Sequence, residues 1–140
     1  MKLTEHFTLE EFEYSATAIA NGIDNRCPST HIPNLQNLCK EVLEPLRQHV
    51  GIPVIISSGY RCPELNRMVG GVANSQHMMG EAADIVVDEC ASLKECFLFI
   101  QNNCRFDQLI IETKGNLRWI HVSLCRDDSR NRQHALSIHK

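Results

Sequence analysis

The chain has 140 residues, 43% apolar and 22% charged, with a formal net charge of -3, which suits one globular domain with a real core. No Lys/Arg cluster offers a footprint for nucleic acid, and no apolar run approaches the ~20 residues of a membrane-spanning helix. The N-terminal "MKLTEHFTLEEFEYS" carries acids where a secretion signal would be apolar, so the expected product is cytoplasmic as synthesised.

The first element is a short helix in "FTLEEFEYS", where Thr8 ahead of Glu10 and Glu11 is a capping signal. "NGIDNRCPST" is turn chemistry. From Pro33 to Val50 the residues Leu35, Leu38, Cys39, Val42, Leu43, Leu46 and Val50 recur at helical spacing, and Pro45 should bend that helix or end its regular hydrogen bonding. "IPVIISS" reads as a strand between Gly51 and Gly59, and "CPELNRMVGG" as one or two helical turns. "EAADIVV" is a strand and "ASLKECFLFIQNNC" a helix with Leu93, Cys96, Phe97 and Ile100 on one face. "FDQLIIE" and "LRWIHVSL" are strands joined by a turn at "TKGN". Helices first and strands later predict an α+β fold, a small antiparallel sheet with flanking helices. Residues 1–125 form the expected single domain, and 126–140 a polar C-terminal tail to which no element is assigned.

Seven cysteines, at 27, 39, 62, 90, 96, 104 and 125, give neither an even disulfide count nor a Cys-x-x-Cys pair. They are expected mostly as small buried residues of a reduced protein.

Strand alternation isolates a more specific pattern. Ala82, Asp84 and Val86 share one face of their strand, and Trp119, His121 and Ser123 share one face of theirs, leaving Ile120, Val122 and Leu124 for the core. Asp84 and His121 can therefore project to the same side of a sheet. His77 lies seven residues before Asp84, and Gly80 lets the chain fold it back over the strand. A lone His or Asp at a strand end is ordinarily just hydrogen-bonded, and His6, His31, His49, His134 and His139 are read that way. Two imidazoles and a carboxylate converging are instead the donor set of a catalytic zinc site with a fourth position open.

"SGYRCPELNRMVGGVANSQHMMGEAADI" followed by "WIHVS" resembles the zinc D-Ala-D-Ala carboxypeptidases of the M15 peptidase family, in particular their short phage-associated branch. The opening "LTEHFTLEEFEYSATA", "GIDN" and "VLEPLR" extend the likeness over Leu3 to Leu124. The resemblance implies a small α+β domain carrying one Zn²⁺ on an antiparallel sheet, with His77, Asp84 and His121 as ligands. Arg61 matches the arginine that holds the substrate carbonyl or oxyanion, and Ser75 and Gln76 would lie beside the substrate. One position departs: the family's usual catalytic acid stands three residues before the last histidine, where this chain has Arg118, which cannot act as a base. Glu112, at the end of the preceding strand, and Glu81 are the candidate replacements. Glu112 is favoured because Glu81 alternates away from Asp84, and because the related hedgehog domain carries its glutamate on the adjoining strand.

The function implied is a zinc peptidase cutting peptidoglycan stem peptides, as a carboxypeptidase or an endolysin-type endopeptidase. The alternative is a non-catalytic zinc-binding module for wall recognition or virion structure. The stem peptide is then the expected partner of a monomer that engages neither nucleic acid nor membrane, and release by a phage or carriage on a virion is the expected route to the wall.

Overall fold

The computed structural model describes residues 1–88 and 90–140, with the side chains of residues 90 and 91 outside that description. A small hairpin of β1 (Lys2–Thr4) and β2 (Phe7–Thr8) leads into α1 (Leu9–Glu13) and α2 (Ala16–Ala20). The α1 capping box forms: the Glu11 amide donates to the Thr8 hydroxyl and the Thr8 amide donates to the Glu11 carboxylate at 2.9 Å, an arrangement worth about 1 kcal/mol. Ser15 caps α2 through the Ala18 amide, an element the sequence reading passes over because only five residues follow the cap.

The long amphipathic stretch is α3 (Ile32–Leu38) and α4 (Glu44–Val50), joined by a wide turn over Cys39–Leu43 in which the Glu44 amide donates to the Cys39 carbonyl. Pro45 explains it. A proline ring clashes with the carbonyl four residues back and offers no N–H, so the chain relaxes into a locally wider turn rather than breaking. Gly51, at φ 68°, closes α4 in the left-handed conformation.

The main sheet has five strands in the order β3 (Ile55–Ser58), β4 (Ala82–Val86), β6 (Leu117–Ser123), β5 (Gln108–Lys114) and β7 (His134–His139). The first four pair antiparallel. β7 adds to β5 in parallel, so residues 134–139 of the expected polar tail supply an edge strand of the sheet. Their polarity is that of an edge, where alternate side chains face solvent. α5 (Pro63–Met68) lies between β3 and β4, and α6 (Cys90–Asn103) between β4 and β5.

One face of the sheet builds the core. Ala83, Ile85, Leu109, Ile120 and Val122 are fully buried with Leu35, Leu38, Val42, Leu43, Leu46, Cys96 and Ile100 of the helices, and truncating one such leucine or isoleucine to alanine costs about 2–5 kcal/mol. The six described cysteines are free. Burial pushes the thiols of Cys27, Cys96 and Cys104 up to about 11, which suits inert packing residues. Among the described residues no helix is long and apolar enough to cross a membrane. The opposite face of the sheet carries Asp84, His121 and Glu112, and the segment between β3 and β4 folds over it.

Candidate metal centre

Register brings the site together. Asp84 on β4 sits directly opposite His121 on β6, and Ser58 on β3 directly opposite Asp84. The His121 Nδ1 lies 3.0 Å from the Asp84 Oδ1, and the His77 Nε2 lies 3.5 Å from the same oxygen. The two imidazole rings are 5.3 Å apart. One ligand atom from each of the three residues falls within 4.8 Å of the others.

His77 reaches this point from a short turn, Gln76–Met79, with Ser75 as its cap. Gly80 ends that turn at φ 71°, and a side chain there would also press against the His31 carbonyl at 2.8 Å, so glycine is required twice over. The buried His77 ring is fixed by its other nitrogen: Nδ1 stands 2.7 Å from the Gly59 carbonyl. A carbonyl only accepts, so Nδ1 carries the proton and Nε2 keeps its lone pair toward Asp84, as a histidine that ligates a metal through Nε2 requires. Gly59 has its own constraint, since a Cβ there would lie 2.6 Å from the Phe12 backbone.

Burial opposes the charge on Asp84, yet the hydrogen bond with His121 and the adjoining His77 ring outweigh it and hold the carboxyl well below the usual carboxylate range. An ionised carboxylate and two imidazole nitrogens fit a borderline ion such as zinc, and three ligands leave one position open. A second group, Glu5, His6 and Glu44, also lies close together. Its members are largely exposed, and both the amide and Nδ1 of His6 are spent on the Glu44 carboxylate, tying the N-terminal hairpin to α4.

Arg61 points into the site. Its guanidinium lies 3.8 Å from the Asp84 carboxylate and donates to Ser58 Oγ at 3.3 Å and to the buried Asn66 Oδ1 at 3.0 Å. Burial pulls its pKa down against the charges of Asp84 and Glu112. Two residues absent from the sequence reading hold this segment. Asn66 braces the guanidinium, and buried Asn25 donates to the Tyr60 carbonyl and accepts from the Cys62 amide. The only signal for Asn25 was its place in "GIDN", one of the stretches that carry the family resemblance.

The remaining candidates separate. Glu112 is buried and stands opposite Trp119, one alternation from the Ile110–His121 pair, so it shares the site's face. Glu81 turns to Arg130, 3.7 Å away, and to Cys125, whose thiol is raised by burial and then by the Glu81 charge. Arg118 pairs with Thr113 and has the opposite alternation to His121. Gln76 lines a cleft of about 600 Å³ with Ser75, Gln108, His121, Arg130 and Arg132. Ser75 spends its hydroxyl accepting from the His77 amide at 3.3 Å. A second cleft is lined by Tyr14, Ser57, Ser58, Arg61 and Lys140.

The site thus joins a His/Asp/His donor cluster to a cleft in an α+β domain. Residues 5–123 match the peptidase M15 family, and the chain belongs to it. Among curated proteins, none matches the sequence.

Proposed function

We propose that the chain is a zinc metallopeptidase that hydrolyses peptide bonds in peptidoglycan stem peptides, as a D-Ala-D-Ala carboxypeptidase or an endolysin-type endopeptidase. The observation that carries this reading is the convergence of His77, Asp84 and His121, the last of them on the wall of a cleft, in a chain of the M15 family. These three residues would hold one ion, which when bound supplies Lewis-acid polarisation of a carbonyl and acidifies water. Arg61, always cationic, stands on the second cleft to take up negative charge as it develops on the scissile carbonyl oxygen. Glu112 accepts the proton of the attacking water and returns it to the leaving amine. Gln76 offers its amide to the substrate backbone along the first cleft. Ser75 contributes by holding the His77 turn.

The rival is a zinc-binding module without catalysis, favoured by Arg118 where the family's acid would stand. Mass spectrometry of purified peptidoglycan after incubation with zinc-loaded protein separates the two. Loss of a terminal alanine or scission within the stem is expected. Unaltered muropeptides beside a metal-bound protein would establish the binding module instead.

A further inference from the structure

Glu112 is held at both carboxylate oxygens. The Trp119 indole N–H donates to Oε2 at 3.1 Å, and the Lys140 ammonium lies 2.7 Å from Oε1. The same ammonium stands 5.9 Å from the Trp119 ring centroid, so the three side chains close a ring. Backbone register builds it: Glu112 pairs with Trp119 on β6 and with Ile138 on β7, and the Lys140 amide donates to the Thr113 carbonyl. Residues beyond the 5–123 span of the family match thus reach the candidate base.

The contact is poorly explained as a fold stabiliser. The Lys140 side chain is 52% exposed while that of Glu112 is 10% exposed, so solvent screens the pair from the lysine side and weakens what it adds to stability. Orientation explains it better. A carboxylate has about four lone-pair sites, so two donors fix its plane and still leave sites for a proton. Lys140 also lines the cleft that Arg61 lines, placing the clamp at the substrate's edge rather than behind it.

We propose that Lys140 is a positioning residue that, with Trp119, fixes the Glu112 carboxylate toward the cleft, making β7 part of the catalytic apparatus. This rests on the peptidase reading above. Trp119 is the chain's single tryptophan, so its indole N–H gives one NMR signal that reports the clamp without metal or substrate.

The test compares wild type, Lys140→Met and Lys140→Arg, each alone and each in a Glu112→Gln background. Lys140→Met should move the indole signal, leave the backbone amide spectrum and zinc content as in wild type, and lower kcat about tenfold to a hundredfold at constant KM, the scale of a misplaced catalytic group. Lys140→Arg should restore both signal and kcat. In the Glu112→Gln background Lys140→Met should change kcat by less than about twofold, since residues acting through one group are not additive. Unchanged kcat in Lys140→Met, or an equal fall in the Glu112→Gln background, would overturn the clamp alone. A zinc-loaded wild type that cuts nothing would overturn the peptidase reading and the clamp's catalytic role together, even with an indole signal sensitive to Lys140.

Discussion

The two halves of the candidate site stand on different ground. Asp84 and His121 are presented by the centre of the sheet, on strands β4 and β6 that are paired on both sides and backed by the fully buried Ile85 and Ile120, and buried His77 is laid over them by the Gln76–Met79 turn. Glu112 and Lys140 belong to the β5/β7 side, where the edge strand is half exposed. A metal tolerates little movement of its ligands, so the donors gain from the rigid centre. On the proposed mechanism Glu112 instead depends on side-chain donors, Trp119 and Lys140, to fix its carboxylate. The contrast is between donors set by rigid backbone and a base set by a clamp that reaches in from a more mobile edge.

The strongest way to break the comparison is at the centre. His77→Ala, Asp84→Ala and His121→Ala should each abolish hydrolysis of peptidoglycan while circular dichroism stays close to wild type, because each removes a donor from a face that does not build the core. Residual activity in all three would mean the chemistry lies elsewhere. At the edge, Glu112→Gln keeps the shape and should lower kcat by about 10²–10⁴ with zinc retained. If Glu81→Gln is inactive and Glu112→Gln is not, the base belongs to Glu81. Arg61 touches both halves through Asp84 and the charge of Glu112. Arg61→Ala should keep zinc and lose about 10²–10³ in rate. A variant that fails to fold would make Arg61 a structural ion-pair partner, and normal turnover would remove it from the mechanism.

The smallest expected effect needs no substitution. Amide hydrogen exchange should be slowest in β4 and β6 and distinctly faster in β7, since edge strands open locally at lower cost. Equal protection across the five strands would remove the distinction between rigid centre and mobile edge.

The central half was legible in the sequence for a physical reason. Alternation in "AADIVV" and "RWIHVSL" sets Asp84 and His121 against opposite apolar faces, and a glycine-bounded turn is the only cheap way to bring His77 back. The edge half was not. β7, "HALSIH", is short, half exposed and paired to a strand far back in the sequence, so neither composition nor periodicity marks it, and Lys140 follows it unseen. Alternation alone favoured Glu112 over Glu81 as the acid beside the site, without showing what either carboxylate touches. Those contacts come from register, which sets Glu112 opposite Trp119, and from Arg130, which engages Glu81. The wide turn before Pro45 follows from a rule the sequence does display, though it left open whether the helix bends or loses its regular hydrogen bonding.

Metal analysis of the purified protein tests the central claim most directly. The account predicts about one zinc per chain in wild type, as three protein ligands with one open position require, and little or none in His77→Ala, Asp84→Ala and His121→Ala. Full occupancy in all three variants, or a wild type that takes up no zinc when it is supplied, would contradict it.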